Sequence, residues 1–194
     1  MINRLIAFIL LLILSPLLMV FYCIVKISSK GPFLFKQLRM GKNKKPFWIY
    51  KIRTMIDNAS GLQSQIANLN EADGPVFKIY NDPRYTPFGE WLSHTGLDEL
   101  PQLMNIFRGE MDFVGPRPLP IDETKQIPNK YITRFSVLPG ITSSWVIKGS
   151  HKLTFEEWME LDLHYINSKS ITNDLIIAVQ TISLMVKQFF NNAH

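Results

Sequence analysis

With 194 residues, 46% of them hydrophobic and 19% charged, the chain is too apolar for intrinsic disorder and long enough for one domain with an appendage. A net charge of +5 points to an anionic partner: phosphorylated substrates, a membrane surface or nucleic acid. The single Cys23 excludes an intrachain disulfide framework, and His94, His151, His164 and His194 lack the spacing of a zinc site.

Residues 5–25 are uncharged and mostly aliphatic. At about 1.5 Å per residue they are long enough to cross a hydrocarbon core of about 30 Å. Pro16 removes a helical hydrogen bond at mid-run, where Ser15 can satisfy the freed carbonyl, so a sharp kink is expected at Ser15-Pro16. The run is then either a bent spanning helix or a re-entrant one. Arg4 precedes it and Lys26 and Lys30 follow, and positive charge at both ends favours both ends being cytosolic.

From Gly31, two apolar and aromatic runs flank the turn Gly41-Lys42-Asn43-Lys44-Lys45, the pattern of a hairpin. Phe47, Ile49 and Ile52 are its expected buried positions, and Lys51 and Arg53 alternate onto one face. Residues 57–73 read as a polar surface helix or loop, Val76–Tyr80 as a short strand, and Asp82-Pro83-Arg84 as a turn. Arg84 is there either a partner in a turn salt bridge or a phosphate contact.

The stretch from Gly89 to Pro118 carries the chemistry. Leu97, Leu100, Leu103, Met104 and Phe107 recur at helical spacing, with Asp98 at the expected N-cap, Glu99 in the first turn and an end near Arg108-Gly109. Two adjacent carboxylates at a helix start are commonly a cap with favourable dipole charge. They also suit phosphoryl chemistry, one as nucleophile and the other holding Mg²⁺. Arg117, pinned between Pro116 and Pro118, would present its fork to a phosphate with little freedom to lose.

Further on, residues 121–130 read as helix or loop and Ile141–Ile147 as a strand, with Trp145 in the core or at a membrane interface. Thr154 and Glu157 form a capping box opening a helix through Tyr165. Ile171 to Phe190 is broadly amphipathic, an interfacial helix or an ordinary core helix. The lysines cluster in one turn and nucleic-acid-binding motifs are absent, so no nucleic-acid partner is expected.

Lys51-Ile-Arg-Thr-Met55, Asp82-Pro-Arg84, Leu97-Asp-Glu-Leu-Pro-Gln-Leu103, Phe113-Val-Gly-Pro-Arg-Pro118, Pro139-Gly-Ile-Thr142 and Glu160-Leu-Asp162 together give the chain its likeness. In this order it closely resembles the bacterial sugar transferase family, the monotopic polyprenol-phosphate phosphoglycosyl transferases. The resemblance implies an α-rich α/β fold. A kinked, re-entrant membrane helix (residues 1–29) would precede a compact cytosolic catalytic domain (residues 30–194) with a small sheet and interfacial amphipathic helices.

It further implies a UDP-sugar donor, a polyprenol phosphate acceptor such as undecaprenyl phosphate, contact with membrane lipid, and residence at the bacterial inner membrane. By likeness Asp98 is the nucleophile, Glu99 the Mg²⁺ ligand, and Arg117, Lys51, Arg53 and Arg84 the phosphate contacts. Asp162 would support the metal side, and Ser15-Pro16 would break the membrane helix. The chain departs from the family pattern at Ala7, Ser93, His94, Gly96, Val146 and Ser150, which removes ionic and amide groups near the diphosphate. The alternative is therefore a weakened relative that binds a sugar nucleotide or partner without turnover.

Overall fold

The computed structural model describes residues 1–149 and 153–191. Helix α1 (Ile2–Ser28) is about 40 Å long at the standard rise. The expected break at Ser15-Pro16 does not interrupt it; the backbone stays helical through Pro16. Ser15 Oγ donates to Leu12 O at 2.8 Å, the carbonyl that Pro16 cannot bond. One side of α1 is packed: Ala7 lies with Leu103, Ile106 and Met111, while Phe21 and Val25 lie with Ile52 and Leu92. The other side leaves Leu5, Ile9, Leu12, Ile13, Met19 and Val20 exposed, an apolar stripe that water does not favour.

Both ends of α1 are tied to the domain. Arg4 donates to Phe107 O (2.7 Å) and Arg108 O (2.9 Å), the last carbonyls of a later helix, and Asn3 bonds Asp112. At the other end Arg53 donates to Ser29 O at 2.9 Å and Ser29 Oγ at 2.8 Å.

The hairpin forms as expected: β1 (Leu34–Met40) and β2 (Pro46–Ile52) run antiparallel, with Gln37 opposite Ile49 and Leu38 opposite Trp48. Its turn uses Asn43 and Lys44 at φ 54° and 56°, a left-handed region Asn tolerates well. Phe47, Ile49 and Ile52 are buried.

Ala59–Leu69 is a 3₁₀ segment. The expected strand at Val76–Tyr80 is absent. Asn70 replaces the missing partner strand, accepting from Lys78 N at 2.7 Å and donating to Ala72 O and Val76 O. Unforeseen from the pattern is α2 (Pro87–Thr95), whose signals are Thr86 capping Gly89 N, Pro87 at N1 and Gly96 in the left-handed region.

The central helix divides into a 3₁₀ segment, Leu97–Gln102, and α3 (Leu103–Arg108), closed by Gly109 as expected. Its apolar face also differs: Leu103 and Ile106 are buried, whereas Met104 and Phe107 are exposed. In place of one small sheet there are two of two strands each, because β3 (Asp112–Val114) pairs in parallel with β4 (Gly140–Thr142). The strand expected to reach Ile147 stops at Thr142, and Ser144–Ile147 forms the short helix α5. Between the strands lie α4 (Ile121–Lys125) and a 3₁₀ segment, Asn129–Ser136.

Helix α6 (Phe155–Asn167) opens on the expected capping box, Glu157 N to Thr154 Oγ1 and Thr154 N to Glu157 Oε2. Its Trp158 stacks on Trp145 at 4.6 Å between centroids, placing Trp145 in the core. In α7 (Ile171–Asn191), Ile177 is buried while Leu175, Ile176, Val179, Ile182 and Val186 are exposed. Most of its apolar face therefore does not pack on this chain.

Candidate active site

Gly96 turns the chain from α2 into the 3₁₀ segment with φ +73°, a conformation costly for a side-chain-bearing residue. Gly96 is the N-cap, so Asp98 is not the cap expected from sequence; it sits two residues in and makes no capping bond. Leu97 and Leu100 pack beside Phe21, Val25, Ile52 and Leu92, which keeps the intervening carboxylates next to the end of α1.

Asp98 is 5% exposed. Lys51 Nζ, delivered by β2, lies 2.7 Å from Glu99 Oε1 and 3.7 Å from Asp98 Oδ2. Arg117 reaches Glu99 with both amino groups, Nη2 to Oε1 at 2.6 Å and Nη1 to Oε2 at 3.4 Å. The Pro-Arg-Pro turn and Lys51 thus meet the carboxylate pair.

The two carboxylates are electrostatically unlike. Burial pushes Asp98 up to about 6, only partly opposed by Lys51. Burial would also raise Glu99, but the Arg117 guanidinium and Lys51 ammonium overcome it and hold Glu99 well below the usual carboxylate range. Asp98 is accordingly the more basic oxygen and Glu99 the fixed charge, a division suited to a nucleophile beside a ligand.

Behind Arg117 lies a buried relay. Arg134 donates to Arg117 O at 2.9 Å and to Asp162 Oδ2 through Nε (3.1 Å) and Nη2 (2.8 Å). Trp145 Nε1 donates to Asp162 Oδ1 at 3.1 Å. Asp162 thus acts on the Arg117 turn through Arg134. Arg39 holds the neighbouring carbonyl, Pro118 O, at 2.9 Å. Sequence reasoning passed over Arg39 and Arg134; neither lies in a proline-framed turn, the cue used for Arg117.

Arg53 and Arg84 are not brought to the carboxylates. Arg53 closes the end of α1, donating to Ser29 O (2.9 Å), Ser29 Oγ (2.8 Å) and Lys30 O. Arg84 makes the turn salt bridge, gripping both oxygens of Asp82 at 2.9 and 2.6 Å and reaching Ala59 O at 3.0 Å. Lys78, not singled out from sequence, falls within the field of Arg117, Glu99 and Lys51; burial first, then Arg117, pushes its ammonium down to about 8.

Among the departures, Ser93 pairs with Tyr85 Oη at 2.9 Å and His94 stacks on Tyr80 at 4.4 Å. Ala7 is fully buried against α3, and Ser150 lies outside the described residues. Two adjacent carboxylates form an all-oxygen donor set that fits a hard divalent cation completed by substrate phosphates. Among the described residues no third acidic, histidine or cysteine side chain joins them.

A carboxylate pair clamped by a lysine and an arginine thus lies beside a helix long and apolar enough to cross a membrane. The model of the family described as bacterial sugar transferase matches residues 1–188, and the chain belongs to that family. Exopolysaccharide production protein ExoY of Sinorhizobium fredii is 36% identical over 184 residues, covering 93% of this chain and 81% of its own.

Galactosyl transferase CpsE of Streptococcus agalactiae is 38% identical over 157 residues, 80% of this chain and 35% of its own. The UDP-glucose:undecaprenyl-phosphate glucose-1-phosphate transferase of Escherichia coli is 36% identical over 196 residues, 96% of this chain and 39% of its own. The chain thus spans little more than a third of the latter two relatives.

Proposed function

We propose that the chain is a phosphoglycosyl transferase that moves a phosphosugar from a UDP-sugar to a polyprenol phosphate, undecaprenyl phosphate in the first instance, releasing UMP. The observation that carries this is the buried, adjacent pair Asp98 and Glu99 with Lys51 and Arg117 closing on it, Lys51 Nζ 2.7 Å from Glu99 and 3.7 Å from Asp98 and Arg117 Nη2 2.6 Å from Glu99. An Asp98 oxygen attacks the sugar-bearing phosphorus, the bond to the bridging oxygen breaks, and UMP leaves with that oxygen. A phosphate oxygen of the lipid then attacks the same phosphorus and frees the Asp98 carboxylate. Splitting the transfer means that one bulky substrate at a time occupies the site.

Lys51 and Arg117 neutralise the diphosphate as it enters, and Arg134 and Arg39 hold the turn that aims Arg117. Glu99 would hold Mg²⁺, which when bound screens substrate charge from the carboxylates.

The same reading places the domain on the cytosolic face of a bacterial inner membrane, with α1 entering the lipid without crossing to the far side. In its support, Arg4 at one end of α1 and Arg53 against Ser29 and Lys30 at the other tie both ends to one domain, while its exposed side and that of α7 are apolar. The test is UMP release over a panel of UDP-sugars with undecaprenyl phosphate and Mg²⁺. Turnover by the wild type and none by Asp98→Asn supports the proposal; equal turnover by the variant refutes it. Binding of a sugar nucleotide with no UMP from any donor would favour the weakened relative.

A further inference from the structure

Three cations at one edge of the apolar stripe on α1 have no carboxylate partner: Arg4, Lys36 and Arg108 form no ion pair among the described residues. Neutral groups hold them instead. Arg4 bonds the Phe107 and Arg108 carbonyls, Arg108 Nη1 donates to Tyr50 Oη at 2.6 Å, and Lys36 Nζ stands 5.6 Å from the centre of the Tyr50 ring. We infer that Lys36 and Arg108, gathered at Tyr50, bind the headgroup phosphate of an anionic glycerophospholipid whose acyl chains lie along α1 and α3. This goes beyond the proposed function, resting on α1 facing lipid and not on the transfer chemistry.

The surroundings of the three cations are those of a bilayer interface. Phe8 of α1 and Phe107 of α3 are both exposed with ring centroids 5.4 Å apart, so the apolar stripe continues onto α3, where Met104 is exposed as well. On the hairpin, alternation puts Trp48 and Tyr50 on one face, and Lys36 lies directly opposite Tyr50. Trp48 is 53% exposed. Trp and Tyr beside Lys and Arg, at the border of an apolar band, is the composition found at headgroup level.

The charge is free to meet an anion. Glu110 and Asp112, the carboxylates that follow Arg108 in the chain, are engaged elsewhere: Glu110 accepts from Asn105, and Asp112 accepts from Asn3 and Phe113 N and lies 4.0 Å from Lys169. A cation near an anionic leaflet favours binding about fivefold. A zwitterionic headgroup gains less, because its own ammonium competes for the phosphate.

The site is also built before lipid arrives. Asn105 is fully buried, accepting from Tyr50 N at 3.2 Å and donating to Trp48 O at 2.7 Å, which clasps α3 to β2. Arg108, at the end of α3, is thereby held with its guanidinium carbon 5.0 Å from the Tyr50 ring centre. Ordering these side chains in advance lowers the cost of binding.

The experiment adds equal amounts of phosphatidylglycerol and phosphatidylcholine, matched in chain length, to the full-length protein in detergent and reads the adducts by native mass spectrometry. The wild type should retain phosphatidylglycerol about tenfold or more over phosphatidylcholine. Lys36→Gln should cut that preference about fivefold, and Lys36→Gln with Arg108→Gln should bring it near parity. Lys36 is exposed on a strand, so the single variant reads the site even where the double variant fails to fold. Lys125→Gln with Lys130→Gln removes the same charge from two lysines that have carboxylate partners and should change nothing. No preference in the wild type, a preference that survives both site variants, or an equal loss in the Lys125 and Lys130 control overturns the site. Loss of a dimer in the site variants with the lipid preference intact would assign the face to a second copy and overturn it too. Selective loss of the preference in the site variants, with no UMP release by the wild type, would keep the headgroup site and sink the transferase. UMP release without any lipid preference would do the reverse.

Discussion

Removing the charge of Asp162 should be among the costliest single-atom changes outside the carboxylate pair. Asp162 and Arg134 are 2% and 3% exposed, and Asp162 accepts three hydrogen bonds, two from Arg134 and one from Trp145. In Asp162→Asn the amide can keep the Trp145 bond, but its N–H₂ faces guanidinium donors, and the buried cation loses its counterion. Breaking a buried pair from one side costs about 3–5 kcal/mol, a large share of a typical 5–15 kcal/mol.

Arg134→Met leaves the opposite orphan, and the asymmetry is testable: a carboxyl can take up a proton, whereas a guanidinium cannot shed one. Burial already raises Asp162 in the intact pair, and losing Arg134 raises it further. A carboxyl whose folded pKa lies above its unfolded value of about 3.9 costs stability increasingly as pH rises from that value to the folded pKa. Arg134→Met should therefore regain stability as pH is lowered from 7 towards the unfolded value of about 3.9, and Asp162→Asn should not. Denaturant titrations in detergent at several pH values read this directly. An Asp162→Asn variant within about 0.5 kcal/mol of wild type would show that the pair does not carry the turn.

Lys51→Met should lower UMP release about 10- to 100-fold with little change in melting temperature, since it removes charge-assisted contacts to Glu99 and the cation nearest Asp98. Gly89→Ala should destabilise by about 1–3 kcal/mol, because the added Cβ would stand 1.9 Å from Thr54 O, a backbone atom, as seen by thermal denaturation. In a Cys23→Ser background, Ile2→Cys should be labelled by an impermeant maleimide in inverted but not right-side-out vesicles. Labelling from the outer face would show that α1 spans.

The elements legible in sequence were those with local signals. The Asn43 turn, the Thr154–Glu157 box and the Gly109 stop each follow from chemistry within a few residues. What escaped was set by distant partners: β3 exists because residues 140–142 come alongside it, and Val76–Tyr80 is not a strand because Asn70 bonds its backbone. In the site, Asp98, Glu99, Lys51 and Arg117 were found by motif and do converge. Arg53 and Arg84 matched motifs just as well, yet they brace a helix end and a turn. Arg134 carried no local cue, since its place behind Arg117 is fixed by Asp162, on another helix.

In the proposed reaction Asp98 carries the phosphosugar between donor and lipid. Mixing the protein with Mg²⁺ and a turned-over UDP-sugar, without acceptor, and weighing it intact measures this. One added phosphosugar should appear, map to Asp98, be absent in Asp98→Asn and be discharged by undecaprenyl phosphate. UMP formed only when the lipid is present, with the protein mass unchanged throughout, would contradict it.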